Sequence, residues 1–134
     1  MITHETQLRV RYAETDQMKY VYYGNYATYY EVARVECLRM LGVSYKSLEE
    51  EGIMLPVVES HIKYVKPAVY DDLLTIKVTI EKMPTAKITF DYKIYNEAGV
   101  FLNVGQTILV FIDMLTNRPM RCPEELKNIF IKYF

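Results

Sequence analysis

The residue types best suited to chemistry gather in one segment, residues 11 to 36, RYAETDQMKYVYYGNYATYYEVARVE. A short acidic strand end runs there through an aromatic, glycine-containing loop into a helix. This order places Asp16 beside the helix start, where unpaired backbone N–H groups and the helix dipole stabilise negative charge. A carboxylate that attacks or deprotonates water, facing amides that hold an oxyanion, is the minimum apparatus of acyl transfer. The same residues fit a purely structural reading, with Asp16 in an Asx turn, Gly24 at positive φ and Asn25 capping the helix. Local chemistry leaves both readings open.

Other candidates surround this junction. Tyr22 and Tyr23 are placed to wall a pocket or to pack at a subunit seam, and Gly24 permits either close substrate approach or the turn itself. The amides near Tyr23, Gly24 and Asn25 are the oxyanion candidates. Glu31 and Arg34, three apart on the helix, read as a surface ion pair or as support for the site. His61, within Glu59-Ser60-His61-Ile62-Lys63, reads as a strand residue at an interface or in solvent. With only two histidines, and no H-E-x-x-H, cysteine cluster or glycine-rich nucleotide loop, neither a metal nor a resident nucleotide cofactor is expected.

The elements that must carry these residues follow from periodicity. Residues 7 to 12, QLRVRY, alternate and read as a first strand. From Asn25 to Leu41 the period becomes helical, with Tyr26, Tyr29, Tyr30, Ala33, Cys37, Met40 and Leu41 on one arc and Gly42 as the stop. Ser44 to Glu51 fits a short second helix. Beyond Ile53 the period is two, giving strands at Leu55 to Val65, Leu73 to Lys82, Lys87 to Tyr95 and Phe101 to Asp113. Short turn-rich links make neighbouring strands antiparallel. Pro123-Glu124-Glu125 opens a last helix. The simplest packing is α+β, a curved antiparallel sheet of about five strands wrapped around a long central helix, in one domain over 1–134.

Composition narrows the function classes. A net charge of -1 offers no basic field for nucleic acid. The first residues, MITHETQLRVRY, lack an apolar leader segment, and no run is long enough to span a membrane, so a soluble cytoplasmic protein is expected. Cys37 and Cys122 read as reduced packing residues. Thirteen tyrosines stand against no tryptophan, seven of them between Tyr12 and Tyr30, which suits a pocket wall or a subunit interface.

Taken together, R-V-R-Y-A-E-T-D-Q-M at 9–18, V-Y-Y-G-N-Y at 21–26, Y-Y-E-V-A-R at 29–34 and the run from Tyr64 through Pro67, Ala68 and Asp72 to Leu74 resemble a known family signature. It is that of the hotdog-fold 4-hydroxybenzoyl-CoA thioesterase-like family, which includes the Tol-Pal-associated acyl-CoA thioesterases. The resemblance implies a hotdog fold and hydrolysis of an acyl-CoA to a carboxylic acid and free CoA. Coenzyme A is then part of the substrate and no further cofactor is implied. It also implies a homodimer or homotetramer with sites at the dimer interface, and it matches Asp16 to the catalytic aspartate. Two departures stand out: Tyr23 occupies a place where histidine is common, and Lys19 one where glycine is usual. Competing expectations are a hotdog dehydratase or hydratase and a non-catalytic module binding an acyl thioester or acyl-carrier protein.

Overall fold

The computed structural model describes residues 1–134. The chain begins with β1 (Ile2–Arg9) and, after a loop, enters α1 (Gly24–Met40) and α2 (Tyr45–Glu50). Then follow β2 (Ile53–Met54), β3 (Val57–Tyr64), β4 (Leu73–Ile80), β5 (Lys87–Tyr95), β6 (Phe101–Asp113), β7 (Arg118–Met120) and α3 (Glu124–Phe130). All strand pairs are antiparallel. The main order is β1-β4-β5-β6, and β3 lies along β6 as an outer strand. None of the helices is long and apolar enough to cross a membrane.

The alternation of β4 and β5 dictates the layer. Leu74, Ile76, Val78 and Ile80, with Ile88, Phe90, Tyr92 and Ile94, are buried toward α1, while Lys77, Lys87 and Lys93 stay wet. From the other side α1 contributes Tyr26, Tyr29, Tyr30, Ala33, Cys37 and Leu38, all buried. One contact sets the distance between the layers. The Tyr30 ring lies over Gly105 of β6 and stacks on Tyr92 with ring centres 4.1 Å apart and planes 3° apart. Its hydroxyl donates to Asn103 Oδ1 at 2.6 Å. A Cβ on residue 105 would stand 2.4 Å from the Tyr30 ring, so the glycine is there for space.

Several expectations need correction. The sheet has seven strands rather than about five, because β2 and β7 are pieces of two and three residues that pair with the far end of β6. Strands that short carry no legible period. Nor is there a long central helix enclosed by the sheet: α1 has 17 residues and keeps Thr28, Glu31, Val32, Arg39 and Met40 exposed. β1 starts five residues earlier than read, since His4 and Thr6 occupy half-buried inward positions and break the apolar alternation. Gly24 is the first residue of α1 and not a positive-φ turn residue, and the N-cap position belongs to Tyr23, with no side-chain cap.

The glycine under Tyr30 gives a direct test. Gly105→Ala should destabilise the fold by about 1–3 kcal/mol through overpacking, seen as a lower urea midpoint with an unchanged m-value.

Candidate active site

The loop between β1 and α1 is a small folded unit. Thr15 bridges to Val21, and Asp16 and Tyr20 are joined by the bond from Asp16 N–H to Tyr20 C=O at 2.8 Å. Lys19 turns the chain at φ 67, the left-handed region that a side chain occupies at a cost of about 1 kcal/mol. Glycine would sit there without strain, which gives the departure at this position a physical meaning. The unit is held to the body of the protein by Val21 N–H on Ala68 C=O, while the Ala68 N–H donates to the Tyr26 hydroxyl.

Within this unit Asp16 makes the Asx turn of the structural reading with one carboxylate oxygen and leaves the other without a partner in the chain. Its Oδ1 accepts from Met18 N–H at 2.9 Å and from Tyr20 N–H at 3.3 Å, an Asx turn that fixes the carboxylate plane. Its Oδ2 accepts no hydrogen bond from the chain, and Asp16 lines a cleft of about 260 Å³. Val21, Tyr23, Tyr26, Tyr64, Val65 and Pro67 make the apolar walls, and Lys66 is the basic group among its lining residues. Burial, more than the nearby Tyr64, Asp72 and Asp16, pushes the Tyr26 phenol up, so it stays protonated at neutral pH.

The helix start offers fewer oxyanion donors than the sequence suggested. Asn25 N–H is used on Tyr22 C=O at 2.9 Å, and Tyr26 N–H on Tyr23 C=O at 3.2 Å. The Asn25 side chain does not cap the helix; its amide donates to the Glu14 carbonyl at 2.9 Å. Asn25 is therefore a loop anchor. The N–H groups of Tyr23 and Gly24 have no partner in the chain and remain available for an anion. Tyr22 lies beside the cleft wall without lining it: its ring contacts Tyr23 at 4.8 Å and passes within 2.9 Å of where a Gly24 Cβ would stand.

The remaining candidates are elsewhere. Arg34 is buried and donates to the Tyr45 hydroxyl of α2 at 2.9 Å, while Glu31 stays exposed, so the two do not form the expected pair. His61 is on the opposite face of the sheet, 3.8 Å from Glu59, within a shallow surface hollow shared with Lys63, Asp91 and Gln106. A histidine is thus absent from the Asp16 cleft.

Glu14 is the residue that the sequence reading missed. Its carboxylate takes three bonds from Arg11, from N–H at 2.8 Å, Nε at 3.2 Å and Nη2 at 2.8 Å, and a fourth from the Tyr29 hydroxyl at 3.0 Å. Its carbonyl takes Tyr22 N–H and the Asn25 amide. One residue thus ties the Asp16 loop to the first turns of α1. The available signal was an arginine three residues before an acid just upstream of Asp16, a spacing that closes a capping box. Tyr64 was also given no role, although it stands in the quoted motifs.

Burial raises the Glu14 carboxyl, but the bonds from Arg11 and Tyr29 outweigh it and hold the group below its ordinary 4.5. A lower folded-state pKa means that this contribution is complete above the unfolded carboxyl's titration and is lost as pH falls through the folded value. Glu14→Gln should therefore lower stability at pH 7 and flatten its decline in acid, as read by urea unfolding at stepped pH. Lys19→Gly should raise stability by about 1 kcal/mol in the same assay, by relieving the left-handed backbone.

Comparison with known proteins places this geometry. Residues 10–130 match the family model of the thioesterase-like superfamily. The Staphylococcus aureus DHNA-CoA thioesterase structure superimposes with a TM-score of 0.93 at 36% identity, covering 98% of this chain and 91% of that one. A Bacillus subtilis protein provisionally named as the acyl-CoA thioesterase YneP is 34% identical across 90% of this chain and 88% of its own. The Haemophilus influenzae acyl-CoA thioesterase YbgC is 30% identical across 92% and 90%. The chain belongs to the thioesterase-like superfamily, shares its hotdog fold, and is by class a thioester hydrolase.

Proposed function

We propose that this protein hydrolyses an acyl-CoA thioester to a carboxylic acid and free CoA, with Asp16 as the reacting group. The observation that carries the reading is the division of labour on one carboxylate. Loop amides hold Oδ1, Oδ2 has no partner in the chain, and Asp16 lines a largely apolar cleft with Tyr23, next to a helix start whose Tyr23 and Gly24 N–H groups are unused. The thioester carbonyl oxygen points at the Tyr23 and Gly24 amides, which stabilise the negative charge that develops on it. Oδ2 then follows one of two routes. It attacks the carbonyl carbon, expelling the CoA thiolate and leaving a mixed anhydride that water cleaves, or it takes a proton from the water that attacks. Tyr22 supports Tyr23 from outside the cleft, and Asn25 holds the loop.

The acyl group occupies the tyrosine-lined cleft, and no cofactor beyond the substrate's own CoA is required. The same chemistry serves a thioester on an acyl-carrier protein, which belongs in the same substrate panel. Assignment to the Tol-Pal-associated branch rests only on the sequence motifs at 9–18, 21–26, 29–34 and 64–74. Residues 1–134 act as one hotdog domain, and a cytoplasmic setting suits its free cysteines.

The cleft also argues for a second copy of the chain. Of the outer strand β3, only Ile62 is even partly covered, and Val57, Val58, Tyr64 and the adjoining Val65 expose apolar surface along an edge with unpaired backbone groups. Such an edge invites pairing with an identical strand. A homodimer, or a tetramer built from it, would bring the partner to Tyr64 and Val65, where the cleft stands open.

Asp16→Asn should lower thioesterase kcat by about 10²- to 10⁴-fold while the protein stays folded. Thiol release from a panel of acyl-CoA and acyl-carrier-protein thioesters measures it. Near-normal turnover, with deamidation excluded by mass, would sink the assignment. Binding without thiol release would favour the module reading, and water loss or addition the dehydratase.

A further inference from the structure

We infer that Tyr26 is a further catalytic residue, its hydroxyl donating a hydrogen bond to the thioester sulfur as the CoA thiolate leaves. This rests on the thioesterase reading and adds to it the group that meets the departing charge. Tyr26 is buried in the first turn of α1 and lines the cleft together with Asp16 and Tyr23. Its hydroxyl oxygen accepts from the Ala68 N–H at 3.2 Å. A backbone N–H can only donate, so the oxygen is the acceptor in that bond and its own proton is left over. That proton has no acceptor in the chain. The ring cannot swing to find one, because it stands edge-on to Tyr29 with centres 5.8 Å apart and against Tyr64 at 5.5 Å. A buried donor with a set direction and no protein acceptor points to a ligand atom.

Thioester hydrolysis carries negative charge through three places in turn. It starts on Asp16, whose Oδ1 is held by the Met18 and Tyr20 amides. It passes to the carbonyl oxygen, which takes the unused Tyr23 and Gly24 N–H groups. When the tetrahedral centre collapses, the C–S bond breaks and its electron pair goes to sulfur, an atom that neither set of amides serves. Tyr20, Tyr23 and Tyr64 also line the cleft, but their rings are exposed and their hydroxyls solvated, so Tyr26 is the phenol that offers a fixed, dry donor. Its hydroxyl lies beside Ala68, next in the chain to Pro67 and Lys66, and Lys66 is the basic residue of the lining. That end of the cleft suits the phosphate-bearing CoA half of the substrate. A neutral thioester sulfur is a weak acceptor and a thiolate a strong one, so the bond gains strength as the reaction proceeds, which is what speeds a chemical step. Burial makes this phenol a weaker acid than usual, and even an ordinary phenol, at about 10, lies above a thiol at about 8.5. The proton therefore stays on the tyrosine oxygen, and CoA departs as the thiolate and is protonated by water.

The test compares kcat/KM in wild type and Tyr26→Phe for one acyl group, the one released fastest in the acyl-CoA panel, carried once on CoA and once on 4-nitrothiophenol. The nitro-substituted thiolate is a weak base and leaves without help. Tyr26→Phe should lower kcat/KM for the acyl-CoA by about tenfold to a hundredfold and that for the aryl thioester far less. Equal losses on both substrates would assign the hydroxyl to its Ala68 bond and to packing, and the absence of any loss would leave it without a part in the reaction. Either result overturns the inference. If Tyr26→Phe does not fold, or the aryl thioester is not turned over, a crystal structure of the wild type with CoA decides. The CoA sulfur within hydrogen-bond reach of the Tyr26 hydroxyl supports the inference, and a sulfur held elsewhere overturns it. Turnover with equal losses defeats only this inference, whereas no thiol release from any thioester defeats the acyl-CoA reading and the inference with it.

Discussion

The site depends on one acid that does no chemistry. Glu14 binds Arg11 and Tyr29 through its carboxylate and Tyr22 and Asn25 through its carbonyl, so strand end, loop and helix start become one rigid piece. The loop it anchors carries Asp16, and the helix start it anchors carries the free amides of Tyr23 and Gly24. A reacting carboxylate and its oxyanion donors must be held to within a fraction of an ångström, and loops are poor at this unless tied down. Charge-assisted bonds to a carboxylate with little solvent exposure are strong enough to do so.

Behind that clamp the interior is unusual in its use of phenols. Tyr26, Tyr29, Tyr30 and Tyr92 are buried, and each hydroxyl has a partner: Ala68, Glu14, Asn103 and Thr107 respectively. A tyrosine fills a core as phenylalanine does, but its hydroxyl must be met, so each ring is fixed in direction as well as in place. The close seat of Tyr30 on Gly105 fixes the spacing of helix and sheet, and with it the distance from the Asp16 loop to the strands that wall the cleft. Asn103 belongs to the same ladder through its bond to the Tyr30 hydroxyl.

Much of this was legible beforehand, for identifiable reasons. The limits of β5 and β6 follow from a period near two between turn-rich links, and they coincide with the observed spans. β2 and β7 left no trace because two or three residues define no period. Arg34 was misplaced because periodicity puts a charge on the wet face, whereas here α2 folds back and supplies the Tyr45 hydroxyl. The type and place of Asp16 were readable, yet which oxygen is free and which amides are unused depend on hydrogen bonds that no spacing reveals. His61 illustrates the limit for strand residues, since a one-residue difference in register decides the face on which a side chain stands.

The proposed chemistry centres on Asp16 and on the unpaired Tyr23 and Gly24 N–H groups at the start of α1. The most direct measurement is a crystal structure with an acyl-CoA analogue in which a methylene replaces the sulfur of the thioester, so that the carbonyl is kept but cannot be cleaved. The account predicts the ketone oxygen within hydrogen-bond distance of the Tyr23 and Gly24 N–H groups, with Asp16 Oδ2 facing the carbonyl carbon directly or through one water. A carbonyl held by other donors, or an Asp16 carboxylate turned away from it, would contradict the account.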